Sequence, residues 1–295
     1  MYKTLAYLVV FVASLCSTAE AAESRWEKTE LGETAIFPMA NAPFPHESRK
    51  DGYTTKDGTV YPRDPHYVDN SVAVFIPAGF RKGPKTDVVL FFHGHRHNIA
   101  KSFEQYRLRE QFVAAGKNAI LVFPEGPKDA ADSGCGRLEE PGALRNLLTE
   151  VMETLVAEGK VDSPAIGRVL LTGHSGAYRV NSFCIKHGGM AEHVTDVCLL
   201  DSSYQLLDPF IDWVASRKET RLFSIFTDHL APENVHMMIE MRRKKVDYGL
   251  LADEDVTAED LAKNRVLFVY TAKRTHDETV QYLERWLGAT TLPKR

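Results

Sequence analysis

Residues 167–180 read GRVLLTGHSGAYRV. An apolar, strand-like run through Val169, Leu170 and Leu171 passes into Gly173-His174-Ser175-Gly176-Ala177, and then into a segment of helical character, YRVNSFCIKHGG at 178–189. This is G-x-S-x-G with alanine in the last place. Small residues at 173, 176 and 177 suit a sharp strand-to-helix turn, because a serine there takes a strained backbone and bulky neighbours would clash. Such a turn lifts the Ser175 hydroxyl above the sheet edge and aims the Gly176 N–H at a reacting carbonyl oxygen. The plainer alternative is a serine in an ordinary glycine turn.

Outward from this turn, strand-like runs recur: SVAVFIPAGF (71–80), DVVLFFHGH (87–95), NAILVFPEGP (118–127), TDVCLLDSS (195–203), RLFSIFTDH (221–229) and RVLFVYTA (265–272). Between and after them, helical spacing covers 101–117, 139–160 (with Pro141 in the first turn), 209–218, 232–246 and 277–287. Continuous apolar strands, each followed by a helix, are what a parallel sheet covered on both faces requires. Right-handed crossovers then make an α/β domain at 71–295: one doubly wound, mostly parallel sheet with helices on both faces. Residues 22–70 are polar, rich in Pro, Gly and His and weakly periodic, and read as an irregular N-terminal extension with room for an edge strand.

With 295 residues, 44% hydrophobic and 26% charged, the chain is neither disordered nor collagen-like. A net charge of −4 argues against a nucleic-acid scaffold or a polybasic membrane binder. Residues 1–21 read as a signal peptide: Lys3, a short apolar run from Leu5 to Leu15, and small residues around Ala19-Glu20-Ala21. The run is too short for stable membrane insertion. The expectation is export to the periplasm or the exterior, with cleavage near Ala21. Cys16 would be lost, leaving Cys135, Cys184 and Cys198, enough for one bridge at most; Cys198, inside VCLL, reads as core.

Three motifs in order, FFHGH (91–95), GHSGA (173–177) and the late His276 after the final strand, resemble the α/β-hydrolase superfamily over residues 71–287. GHSGAYR with LLDSSY (199–204) is also similar to a group of exported bacterial hydrolase-like proteins. The resemblance implies a serine hydrolase acting on a small-molecule or polymeric ester without a cofactor, and places the acid between nucleophile and histidine. Ser175 needs a base, and His276 is the candidate. Two aspartates qualify as the acid: Asp201 at the end of VCLL, and Asp228 after RLFSIFT. Each has a structural alternative, Asp201 anchoring the Ser202-Ser203 turn and Asp228 capping the next helix. The N–H of Gly94 or His95 would complete an oxyanion hole with Gly176. Arg96, Tyr178 and Arg179 flank the site as candidate substrate contacts, with an arginine meeting an anionic group unless both pair with local carboxylates. His174 is expected to pack the turn. The short stretch between Asp201 and Asp228 leaves little for a lid and implies an open site.

Two other readings stand beside this one. His93, His95 and His97 in HGHRHN alternate after a strand, a spacing that suits metal ligation in a metal-dependent hydrolase. Alternatively, the fold serves as a catalytically inactive binding protein. Oligomeric state is left open by the sequence.

Overall fold

The computed structural model describes residues 25–295, so the expected leader at 1–21 lies outside the described residues. The strands are β1 (Glu27–Thr29), β2 (Gly32–Pro38), β3 (Tyr53–Thr54), β4 (Val60–Tyr61), β5 (Ser71–Pro77), β6 (Thr86–Phe92), β7 (Ile120–Pro124), β8 (Ile166–His174), β9 (Val194–Leu200), β10 (Arg221–Phe226), β11 (Gly249–Ala252) and β12 (Val266–Tyr270). Ten of them form one sheet in the order β1-β2-β5-β7-β6-β8-β9-β10-β12-β11, and β3 pairs with β4 in a small separate hairpin. From β7 to β11 every neighbouring pair is parallel. β1, β2 and β5 attach antiparallel at one side.

The central strands are apolar on both faces because both are covered. Val88, Leu90 and Phe92 of β6 join one core with Val169 and Leu171 of β8 and the helix Ala143–Ala157. The intervening Val89, Phe91 and Leu170 join a second core with Phe112, Trp286 and Leu287 on the opposite face. This alternation is the period of two that a strand imposes. The doubly wound, mostly parallel arrangement expected from the sequence is the one observed.

Connections from β6 run both ways: β7 lies on one side of it and β8 on the other. Such a reversal opens a crevice beyond the carboxyl ends of the two strands, where doubly wound sheets bind ligands. Gly94 follows β6 and Ser175 follows β8, so both stand at that crevice.

Several local expectations are corrected. The single helix expected over 101–117 is two, Ile99–Gln105 and Leu108–Ala114. Arg107 between them takes a left-handed φ of 49°, and the Gln111 side chain donates to the Tyr106 carbonyl at 2.7 Å, replacing a helical bond lost at the break. Pro141 precedes its helix rather than sitting in the first turn; the helix starts at Ala143 after Gly142. The described part of the N-terminal extension, 25–70, is less irregular than its composition implied, since β2 pairs with β5 along its whole length. A strand and a helix in 247–264, β11 and Ala258–Lys263, were not expected at all. β1 and β11 are short edge strands, largely exposed or half-buried, and so lack the apolar run that marks a central strand.

The N-terminal segment is tied to the loop after β7. The Arg49 guanidinium holds Asp132 with two bonds, of 2.6 and 3.0 Å, and Phe44 packs edge-on against Tyr67 beside Ala130. Among the described residues, no helix is long and apolar enough to cross a membrane.

Cys135, Cys184 and Cys198 are buried and free. Burial pushes the Cys184 thiol up to about 12 and raises the other two as well, so little reactive thiolate exists at neutral pH. A thiol reagent is therefore expected to leave these three sites unmodified in the native protein and to modify all three in denaturant; rapid native labelling at any of them would contradict this packing.

Candidate active site

β8 ends at His174, and Ser175 then takes φ = +55°, opening a single 3-10 turn (Ser175–Ala177) that runs into the helix Tyr178–His187. A non-glycine residue held left-handed costs on the order of 1–3 kcal/mol and persists only where its surroundings fix it. Here the Ser202 hydroxyl donates to the Ser175 carbonyl at 2.7 Å. Ser175 itself is half-buried.

The loop after β6 lies directly against this turn. A Cβ built on Gly94 would meet Ser175 Cβ at 2.6 Å and the His174 carbonyl oxygen at 3.0 Å. One built on Gly176 would meet the His95 ring and the Ser133 hydroxyl, each at 2.8 Å. Both positions therefore need glycine, and the main chains of 94–95 and 175–176 come together. The His95 imidazole is held there by a 2.9 Å bond between its Nε2 and Ser133.

His276 arrives from the loop after β12. Its Nδ1 donates to Asp201 Oδ2 at 2.7 Å. Asp201, the residue after β9, is fully buried and itself left-handed (φ 47°). Its carboxylate also accepts the Thr227 N–H at 3.0 Å and the Thr227 hydroxyl at 2.8 Å. The His276 side chain is a third exposed while Asp201 is fully buried, so solvent reaches this pair from the His276 side.

Of the two aspartates the sequence left open, Asp201 is thus the one at His276. Asp228 lies beyond β10 on the surface and accepts the Tyr270 hydroxyl at 2.5 Å. The difference is positional: Asp201 directly follows a central strand and its N–H is bonded to Ile225 of β10, whereas Asp228 is two residues past the end of β10.

His174 does more than pack the turn. Its Nε2 donates to the His276 carbonyl at 3.1 Å, and the two rings lie 4.3 Å apart. Burial holds its imidazole well below the usual histidine range, so it stays neutral. The residue beside Ser175 therefore anchors the main chain of His276.

Arg179, expected as a substrate contact, spends its fork on Glu139 in bonds of 2.9 and 2.6 Å. Arg96 is exposed and left-handed (φ 59°), with its N–H on the Ala130 carbonyl. Tyr178 is half-buried and faces Tyr204 with ring centroids 5.8 Å apart. Between β9 and β10 the one helix is Asp208–Ser216, with no helical cap over Ser175 among the described residues.

The HGHRHN histidines do not converge. His93 donates from Nδ1 to the Gly94 carbonyl and accepts the Gly126 N–H at Nε2; His95 meets Ser133; His97 stacks on Tyr106 and bonds its hydroxyl at 3.0 Å. Among the described residues, the groups whose ligand atoms cluster are Asp201 with His229 and His276, and His174 with His276 and Asp277. The metal reading of the three alternating histidines is corrected accordingly: each points to a different partner.

Sequence reasoning missed Ser133, Ser202, Thr227, Tyr204 and His229. Ser202 and Tyr204 lie in LLDSSY, but nothing in that motif gave them a role, and only the return of separate loops to one sheet edge brings these residues together.

Because folding holds the His174 pKa down while the unfolded imidazole titrates near 6.5, the unfolded chain takes up the proton first. The contribution of His174 to stability is complete above that value and is lost as the pH falls toward the native pKa. Urea unfolding from pH 8 to 5 should therefore show falling stability, with a shallower pH slope in His174→Gln; identical slopes would contradict a neutral buried imidazole.

No protein-family model matches the chain, and no curated protein sequence matches it. Solved structures do. A feruloyl esterase module from Clostridium thermocellum, a serine-to-alanine mutant complexed with sinapinate, covers 91% of this chain and 92% of its own at 13% identity, with a TM-score of 0.52. A fluorophosphonate-binding serine hydrolase of Staphylococcus aureus covers 88% of this chain and 99% of its own at 9% identity, with a TM-score of 0.48. The strand order, the turn at Ser175 and the first of these likenesses together show that the chain has the α/β-hydrolase fold.

Proposed function

We propose that the chain is a serine hydrolase that cleaves an ester or related acyl bond through Ser175, His276 and Asp201. The observation that carries this reading is the pairing of a left-handed Ser175 at the end of β8 with a His276–Asp201 bond of 2.7 Å at the same sheet edge. In the proposed reaction Ser175 Oγ attacks the acyl carbon while His276 Nε2 takes the hydroxyl proton. Asp201 keeps the proton on His276 Nδ1 and stabilises the imidazolium that forms. The N–H groups of Gly176 and of Gly94 or His95 hold the oxyanion, each such donor being worth ~3 kcal/mol in the transition state. His276 then protonates the departing oxygen, and water releases the acyl group. No step calls for a cofactor.

The exposure of His276 and the lack of a helical cap among the described residues suit an ester on an extended or polymeric substrate as well as a small one. Arg96, near the proposed oxyanion loop, is the candidate contact for an anionic substrate group; Arg179 would have to share its guanidinium with Glu139. The leader-like composition of residues 1–21 supports a reaction in the periplasm or outside the cell.

A fluorophosphonate probe should label the wild type at Ser175 and fail on Ser175→Ala. Labelling that persists in that variant would overturn the assignment, and a folded protein with no labelling at all would favour the binding-protein reading. Among acid variants, Asp201→Asn should lower turnover by orders of magnitude while Asp228→Asn stays near the wild type; the reverse order would transfer the acid role. Gly94→Ala should cost about 100-fold or more in turnover with the fold intact, since its methyl group would displace Ser175 or the oxyanion loop.

A further inference from the structure

A second chain of hydrogen bonds runs from Asp201 to Tyr204, beside His276. Asp201 Oδ2 is 2.8 Å from Thr227 Oγ1, Thr227 Oγ1 is 2.6 Å from His229 Nδ1, and His229 Nε2 is 2.9 Å from the Tyr204 hydroxyl. The Tyr204 ring stands edge-on to His276 at 6.4 Å; burial raises the phenol's pKa, and the Ser175 hydroxyl acts in the opposite direction.

Proton counting gives this chain a direction. A carboxylate only accepts, so the Thr227 hydroxyl must donate to Asp201. Its oxygen is then the acceptor for His229 Nδ1–H, and in the tautomer with that single ring proton Nε2 is bare. Nε2 therefore accepts from Tyr204, and the single phenolic hydrogen is committed. The Tyr204 oxygen, beside His276, is left as an acceptor with no hydrogen to give.

We propose that Tyr204 is a further catalytic residue, accepting the second hydrogen of the water that hydrolyses the acyl-enzyme. The proposal rests on the serine-hydrolase reading. A water poised for attack carries two hydrogens and needs two acceptors if a lone pair is to face the acyl carbon. One hydrogen goes to His276 Nε2 and the other to the Tyr204 oxygen. As the water oxygen bonds to the acyl carbon, His276 takes the first hydrogen. The tetrahedral intermediate then collapses, the bond to Ser175 Oγ breaks, and His276 returns that proton to Ser175. The second hydrogen leaves on the carboxylic acid. Asp201 thereby orients both acceptors, one through His276 directly and one through Thr227, His229 and Tyr204.

The test compares water with methanol as the attacking nucleophile. Methanol has one O–H, which goes to His276, and draws nothing from Tyr204. With a p-nitrophenyl ester in aqueous methanol, the ratio of acid to methyl ester reports how well water is placed, independently of acylation. In Tyr204→Phe, which keeps the ring against Tyr178, this ratio should fall roughly tenfold toward methyl ester, the worth of one neutral hydrogen bond. His229→Leu, which frees the phenolic hydrogen to rotate, should move the ratio the same way by less, and it decides the matter if the tyrosine variant does not fold. Mass spectrometry of quenched mixtures monitors the acyl group on Ser175. An acyl-enzyme at Ser175 with an unchanged product ratio in the folded variants would overturn the role of Tyr204 and leave the hydrolase reading standing. No acyl-enzyme in the wild type would overturn both.

Discussion

Two neighbouring parallel strands, β8 and β9, each hand over to a residue in the left-handed conformation, Ser175 after one and Asp201 after the other. Their register pairs His174 with Leu200, so these two residues leave the sheet side by side. Neither conformation would persist in isolation. Ser202 fixes the Ser175 carbonyl, while Thr227 and the Ile225 carbonyl fix Asp201. Everything else at the crevice is arranged around this pair of strained strand ends. Gly94 is glycine because Ser175 leaves its loop no room, and His276 is aimed by the carboxylate that β9 presents.

The supports extend well beyond the residues of the proposed triad. His174 fastens the main chain of His276 to the strand that carries Ser175, which couples the final loop of the protein to its central turn. On the other side, Arg49 holds Asp132, whose carboxylate also accepts the Gly134 N–H, and Ser133 between them braces His95 against Gly176. A segment whose composition looked irregular thus fastens one wall of the crevice.

The sheet was legible because its central strands are covered on both faces and so appear as uninterrupted apolar runs, as in VVLFF and RVLLT. β1 and β11 were not, because edge strands need no such run; β2, between β1 and β5, was not, because its long pairing is with a strand distant in the chain. The turn at Ser175 was readable from local sterics alone, since small residues at 173, 176 and 177 leave few other uses for the segment. The choice between Asp201 and Asp228 was not readable from strand spacing, and only the resemblance carried by LLDSSY favoured Asp201. Both follow apolar strands and differ only in where the strand stops relative to its neighbours. The alternating histidines misled for a related reason: a strand periodicity was extended past Phe92, where β6 has already ended and Gly94 turns the chain, so their side chains share no face. Nothing in the sequence gave Tyr204 or His229 a role, because what ties them to the site is a chain of hydrogen bonds through Thr227 to the buried Asp201.

The most direct measurement is a crystal structure of the protein after reaction with a phosphonate ester. The account predicts phosphorus bonded to Ser175 Oγ, its oxygen held by the N–H groups of Gly176 and of Gly94 or His95, and His276 Nε2 within hydrogen-bonding distance of an adduct oxygen with Nδ1 still on Asp201. An adduct on another residue, or His276 turned away from Ser175 with its bond to Asp201 broken, would contradict it.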